Sequence, residues 1–198
     1  MKENIPPKKL AIFLYNRLFD PLIQSNFWLY VSDLLKSGEY TICLITYENP
    51  SIPTTQEQRI LIKEWEKQGL VWKPLQWHAG QGLPAKFMDI LQGFFAVLRF
   101  RLKGCRHFVS LASVAGTYLY LYFILLRFRF FLYQYEPHSE YAIDNQMWAK
   151  NSLQYKISHF LEKKAAFSAK VIASGTRFMQ ERLEKEWKVK AAFHKIPT

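Results

Sequence analysis

Two hydrophobic patterns alternate along the chain. Short, nearly unbroken apolar runs occur at Leu10–Tyr15, Tyr40–Tyr47, Leu70–Trp77, Phe108–Ala112, Phe130–Tyr135, Lys170–Ser174 and Ala191–Ile196. Runs of that length, rich in Val, Ile, Phe and Tyr, predict buried strands. Between them lie longer stretches with apolar residues at helical spacing. Ser25–Lys36 has Phe27, Leu29, Tyr30, Leu34 and Leu35, and Gly38 stops it. Thr55 is placed to cap a helix from Gln56 to Gln68, ended by Gly69, after the Pro-punctuated loop Glu48–Thr55.

The later helices follow the same logic. Pro84 suits the first turn of a helix running to Lys103, with Gly104 as its stop and the loop His78–Leu83, holding Gly80 and Gly82, before it. Its expected core stripe is Phe87, Ile90, Leu91, Phe94, Leu98 and Leu102, with Phe95, Val97 and Phe100 off that stripe. Val114–Arg127 predicts another helix. Asp144 or Asn151 is the expected cap of a long one through Phe167, its stripe being Leu153, Ile157, Phe160, Leu161 and Ala165. Thr176 caps a last helix to Trp187. Strands and helices in strict alternation predict βαβ units with right-handed crossovers. The expected fold is therefore α/β, a doubly wound, mostly parallel sheet of about seven strands, Rossmann-like, with three α/β/α layers. No linker or repeat interrupts it, so residues 1–198 are expected to form a single domain.

One stretch tests that picture. From Phe108 to Leu126 no residue is charged, and Arg127 closes the run. That length is enough for a helix to span a bilayer. The run opens as a β-rich piece and is expected to break at Ala115-Gly116-Thr117, so a buried strand followed by a buried helix is the preferred reading.

Composition adds partners to the picture. Aromatic residues make up 17% of the chain, and 27 Lys+Arg against 16 Asp+Glu give a formal charge of +11. No acid occurs between Asp89 and Glu136, a span that holds Arg99, Arg101, Lys103, Arg106, Arg127 and Arg129. A local positive field of this kind favours an anionic partner: nucleic acid, anionic lipid or a nucleotide-linked substrate. In the helix Phe87–Lys103, surplus apolar residues with cations at one end fit contact with an anionic membrane through Phe95, Arg99, Phe100, Arg101, Lys103 and Arg106. A core helix whose arginine stems lie along it fits equally. Cys43 and Cys105 stand alone in the sequence, giving neither a disulfide framework nor a metal pair, and the N-terminus MKENIPPKK has no signal-type apolar stretch. The expected location is cytoplasmic, with a peripheral place on the inner membrane face open.

Chemistry in an open parallel sheet belongs on loops after the carboxyl ends of strands. The loop after the first strand, Asn16–Asn26, has no GxGxxG fingerprint, and no P-loop, HExxH or GxSxG motif occurs anywhere. The five histidines, 78, 107, 138, 159 and 194, have no metal-ligand spacing, so neither a metal nor a cofactor is expected. The densest group of ionisable side chains is Gln134-Tyr-Glu136-Pro-His138-Ser139-Glu140-Tyr141. A histidine beside carboxylates can exchange protons near neutral pH, and a solvated loop answering the basic patch is the plainer alternative. Ala173-Ser174-Gly175-Thr176 runs into a helix, where free N–H groups can receive a phosphate or sugar hydroxyl, or serve an ordinary cap.

The C-terminal third resembles the N-terminal domain of the GT-B glycosyltransferases, of the large retaining family that uses nucleotide sugars. Tyr133-Gln-Tyr-Glu-Pro-His138 leads to a helix ending Phe160-Leu-Glu-Lys-Lys-Ala-Ala-Phe-Ser-Ala169. Then follow Lys170-Val-Ile-Ala-Ser-Gly175, a helix over Arg177–Glu186, and Lys195-Ile-Pro-Thr198. The resemblance departs after the first strand, where that family has glycines and Asn16–Asn26 has none. It implies that His138 stands at the family's active-site histidine, with Glu136 competing for that role. It also implies that Asp20, Gln24, Ser25, Ser139, Ser174 and Gly175 line the substrate side. A second, donor-binding domain absent from this chain would hold the nucleotide sugar, which is a substrate and not a cofactor. The acceptor would be a lipid-linked or cell-envelope glycan, with no metal and no specific nucleic acid. The competing reading is a basic α/β module that binds nucleic acid or an anionic membrane without catalysis.

Overall fold

The computed structural model describes residues 6–78 and 82–196, apart from the side chains of Leu83 and Phe178. Gly80 of the expected loop, and the Pro197-Thr198 end of the motif at the C-terminus, lie outside the described residues. The strands are β1 (Lys8–Leu14), β2 (Tyr40–Glu48), β3 (Leu70–Gln76), β4 (His107–Leu111), β5 (Arg129–Tyr133), β6 (Val171–Ser174) and β7 (Ala192–Lys195). The helices are α1 (Trp28–Lys36), α2 (Gln56–Lys67), α3 (Gly82–Leu102), α4 (Ser113–Leu126), α5 (His138–Asp144), α6 (Leu153–Ser168) and α7 (Arg177–Lys185). A π-helical turn, Ile23–Phe27, leads into α1.

The strands form one seven-stranded sheet of order β3-β2-β1-β4-β5-β6-β7, and its registered pairs β1/β2, β2/β3, β4/β5, β5/β6 and β6/β7 are all parallel. This is the expected doubly wound, Rossmann-like, three-layer α/β fold. By compactness the chain divides into two units, Met1–Arg106 and His107–Thr198.

In the first unit, Ala11, Ile12, Phe13 and Leu14 of β1 and Ile42, Leu44 and Ile45 of β2 are essentially inaccessible. A strand covered on both faces needs such a run. β3 is the edge of the sheet and holds Pro74. Proline is tolerated at an edge because the missing N–H costs no central ladder bond. Thr55 caps α2 as expected, in a reciprocal capping box with Gln58. Cys43 and Cys105, isolated in sequence, meet in this core with their sulfurs 3.4 Å apart, within thiol hydrogen-bonding reach. Both are free thiols. The bond with Cys105, together with burial, raises the Cys43 thiol above its ordinary range.

In the second unit the uncharged run resolves into β4 and α4, and among the described residues no helix is long and apolar enough to cross a membrane. The break is earlier than the sequence suggested. Ala112 makes the whole connection, at φ 66° and ψ 164°, while Ala115, Gly116 and Thr117 lie inside α4. Gly116 is there because α4 packs closely on β5: a Cβ at that position would stand 2.6 Å from Leu132 Cδ1. The cap of α6 is Ser152, whose side chain accepts from Tyr155 N–H, and not Asp144 or Asn151. Asp144 instead ends α5, which stands where the sequence pattern suggests a loop. Pro137 at its N-cap and the carboxylate of Glu162 on its first turn explain why it forms.

Two helices cover only part of their expected apolar stripes. On α3, Phe87 and Leu102 are 64% and 79% exposed. The buried face is Ala85, Asp89, Ala96, Val97 and Phe100. On α6, Leu153, Ile157 and Phe160 are exposed, Leu161 is half-buried, and Ala165 is buried as expected, together with Glu162 and Ala166.

Candidate functional site

Polar groups gather after the carboxyl ends of strands in each unit. In the first unit the centre is Asp89, fully buried on the inner face of α3. Tyr15, the residue after β1, donates from its hydroxyl to Asp89 Oδ2 at 2.6 Å. His78, two residues past β3, places Nδ1 at 2.7 Å from Asp89 Oδ1. The Tyr47 hydroxyl donates to the Asp89 main-chain oxygen at 2.6 Å. Lys86, exposed one turn before Asp89, donates to the Tyr15 hydroxyl oxygen at 2.9 Å. Both oxygens of this buried carboxyl group thus have a hydrogen-bonding partner, as a polar group at this depth requires.

Sequence reasoning missed this cluster. Its signal was a lone acid inside a strongly apolar helix, Lys86-Phe-Met-Asp89-Ile-Leu91, where an unpaired carboxylate would be costly. The expected residues of the loop after β1 make local hydrogen bonds. Asp20 accepts from Asn16 Nδ2 at 3.3 Å and from Leu22 N–H at 2.9 Å. Gln24 Nε2 donates to the Leu18 carbonyl at 2.7 Å, and Ser25 Oγ lies 3.5 Å from the Leu22 carbonyl. These bonds build the π-helical turn.

In the second unit, His138 is the first residue of α5. Its ring stacks on Tyr141 and meets Trp148 edge-on. Burial lowers its pKa below 6.5, and the negative Glu136 partly opposes that. The ring is therefore neutral at neutral pH. Glu136 is exposed, and its carbonyl accepts a short bond from Ser113 Oγ. Ser139 is fully buried. Its N–H donates to Glu162 Oε1 at 3.1 Å and its hydroxyl to Oε2 at 2.5 Å. Ser174 is also fully buried and accepts from Thr176 N–H at 3.3 Å. Gly175 is half-buried. Burial raises the Glu162 carboxyl to about 7, against the Ser139 bonds that lower it. Glu140 is raised by burial and held down in part by its ion pair with Arg182.

Of the expected membrane-contact residues, Phe95 is 57% exposed and Phe100 only 3%. Phe100 is a core residue. Arg99, Lys103 and Arg106 are exposed and Arg101 is half-buried. Among the described residues no group of three or more His, Cys, Asp or Glu is placed to hold a metal ion.

The chain has the fold of an N-terminal domain of the GT-B glycosyltransferases. No family model and no curated protein matches it in sequence. Among solved structures it is similar to Phytolacca americana UGT2 complexed with UDP-2fluoro-glucose and pterostilbene, at TM-score 0.62 and 12% identity over 98% of this chain and 54% of that one. Sucrose-phosphate synthase from Thermosynechococcus elongatus matches at TM-score 0.61 and 12% identity, over 96% and 48%. A UDP-glucosyltransferase from Polygonum tinctorium, described as glucosylating indoxyl, matches at TM-score 0.60 and 11% identity, over 98% and 53%. The chain spans about half the length of these structures.

Proposed function

We propose that this chain is the acceptor-side domain of a glycosyltransferase, working with a second domain that holds a nucleotide sugar. The observation that carries the reading is the fold likeness itself: nearly all of this chain matches about half of each of several sugar-transferring enzymes. Polar side chains on the loops after β1, β3 and β5 agree with it, since ligands in open α/β sheets bind outside the carboxyl ends of strands. In this reading His138, uncharged at neutral pH, hydrogen-bonds the transferring sugar, and Gly175 brings the backbone close to it. Glu136 sets the electrostatics of that histidine from outside.

The acceptor in this reading is a lipid-linked or cell-envelope glycan, met at the cytoplasmic face of a membrane. What supports it is the outer face of α3. Phe87, Met88, Phe95 and Leu102 are exposed there, and Arg99, Lys103 and Arg106 flank the same end. That combination suits a helix lying in an anionic interface.

The test is turnover by a polypeptide carrying this chain together with its second domain, read as nucleotide release from a panel of UDP-sugars. Transfer is expected, with His138→Ala lowering kcat about 100-fold or more at unchanged melting temperature. Because burial lowers the His138 pKa, loss of activity through its protonation belongs below pH 6.5. Full turnover by His138→Ala removes that residue from the mechanism, and no transfer from any donor overturns the reading.

A further inference from the structure

The chain has two cysteines, 62 positions apart, and the fold of the first unit brings them together. Cys43 lies in β2, an interior strand of the sheet. Cys105 follows the end of α3. There Gly104, at φ 91°, donates its N–H to the Arg101 carbonyl, and the Cys105 N–H donates to the Phe100 carbonyl at 3.0 Å. This pair of bonds is a glycine-terminated helix cap, and it fixes the backbone of the residue after the glycine. The Cys105 thiol is thereby held against β2, its sulfur 3.4 Å from that of Cys43. A disulfide bond is about 2.0 Å long, so the two atoms need only a small approach to bond.

Two cations share this corner. Lys9, near the start of β1, donates from Nζ to the Lys103 carbonyl at 2.7 Å, two residues before Cys105. The bond with Cys43 lowers the Cys105 pKa, burial opposes it, and the ammonium groups of Lys9 and Lys103 add to the lowering. Cys43 shifts the other way, raised by the bond with Cys105 and by burial. The pair is unequal: one thiol is disposed to ionise beside one that keeps its proton. Packing explains a buried thiol, but not the meeting of both cysteines in the field of two ammonium groups.

We infer that Cys43 and Cys105 form an oxidation site whose co-reactant is a hydroperoxide and whose product is the disulfide between them. The Cys105 thiolate attacks the terminal peroxide oxygen. An S–O bond forms, the O–O bond breaks, and its electron pair leaves with the other oxygen, which takes up a proton. Cys105 is then a sulfenic acid. The Cys43 sulfur displaces the hydroxyl group from it, so the S–S bond forms, the S–O bond breaks, and the Cys43 proton leaves with the hydroxyl as water. Two thiols are oxidised, and the peroxide is reduced to an alcohol, or to water when it is hydrogen peroxide. No third thiol is present in the chain to intercept the sulfenic acid. The cross-link ties the end of α3 to β2 and restricts the unfolded chain, which raises stability. It does not depend on sugar transfer.

The test uses the 198-residue chain, freed of reductant and exposed at neutral pH to a modest excess of hydrogen peroxide. The expected product is a monomer lighter by two hydrogens, with no thiol left for a maleimide after denaturation. Proteolysis should give one peptide pair joined through Cys43 and Cys105 and separated by dithiothreitol. The melting temperature should rise by about 5–15 °C and fall back on reduction. Cys43→Ala should leave a sulfenic acid on Cys105 that dimedone traps, whereas Cys105→Ala should leave Cys43 a thiol. If either variant fails to fold, peptide mapping of the parent decides alone. Oxygen added to the parent without a cross-link, a disulfide between two chains, or thiols left intact by an exposure that oxidises the urea-unfolded chain would each overturn the site. Equal dimedone trapping of Cys43 in Cys105→Ala would overturn the choice of attacking thiol.

Discussion

Glu162 is an acid enclosed by its own fold. It is 3% exposed, and burial lifts its carboxyl from 4.5 to about 7. The folded chain thus binds this proton more tightly than the unfolded chain does. Its contribution to stability is complete below about pH 4.5 and is lost as pH rises to about 7, an upper bound on the order of 3 kcal/mol. His138 and His159, whose pKa values burial lowers, push the other way, destabilising the fold as pH falls through their own range. The difference between parent and Glu162→Gln isolates the acid. In urea titrations from pH 4.5 to 7.5, the variant's stability relative to the parent should rise with pH; a constant difference would assign the burial a smaller cost. Ala112 is the other residue under load. Its φ and ψ lie in a region that side chains avoid, at a cost of order 1–3 kcal/mol. Ala112→Gly should raise stability by about 1 kcal/mol once the added chain entropy is subtracted. A lower melting temperature would show that the turn is not strained.

At the scale of elements, the strands were legible and two helix faces were not. Buried parallel strands advertise themselves as unbroken apolar runs, and β1, β2, β4 and β5 were found within two residues of their ends. For α3 and α6 the rule that the apolar stripe faces the core holds only in part, and one feature is shared. Each inner face includes alanines and one acid, Asp89 or Glu162, beside Val97 and Phe100 on α3, and each acid ties its helix to polar groups past the strand ends. Alanines let these helices approach closely, and Phe87 and Leu102 of α3, and Leu153, Ile157 and Phe160 of α6, are left facing out. The sequence shows Phe and Leu at helical spacing but not which side the sheet takes. The same acids decide the candidate sites. His138 was visible because its loop is dense in polar groups, whereas His78 was not, because its partner lies eleven residues on, inside an apolar helix. Gly116 supplies a test at this scale. Its missing side chain lets α4 sit on β5, and Gly116→Ala should cost about 1–3 kcal/mol through overpacking against Leu132. A neutral result, measured by denaturant midpoint, would mean that Leu132 has room to rotate away.

For the whole molecule the question is where a charge of +11 is spent. Surplus cations on a soluble surface are common, but here they end a helix whose outer face is apolar. The two properties act over different ranges. Cations draw the chain to an anionic surface across about one Debye length, each contributing about 1 kcal/mol near it. The apolar residues act only on contact and are insensitive to salt. Co-sedimentation with vesicles of phosphatidylglycerol and phosphatidylcholine separates them. Arg99→Gln with Lys103→Gln should weaken binding to anionic vesicles about 30-fold at low salt, with the deficit shrinking at high salt. Phe95→Ser with Leu102→Ser should weaken it by a factor that salt does not change. Phe100→Ser, by contrast, opens the core and should lower stability without acting on the membrane as a surface change does. If the unaltered chain stays in the supernatant with anionic vesicles at low salt, the outer face of α3 is not a membrane face, and the lipid-linked acceptor loses its support while the sugar-transfer reading stands.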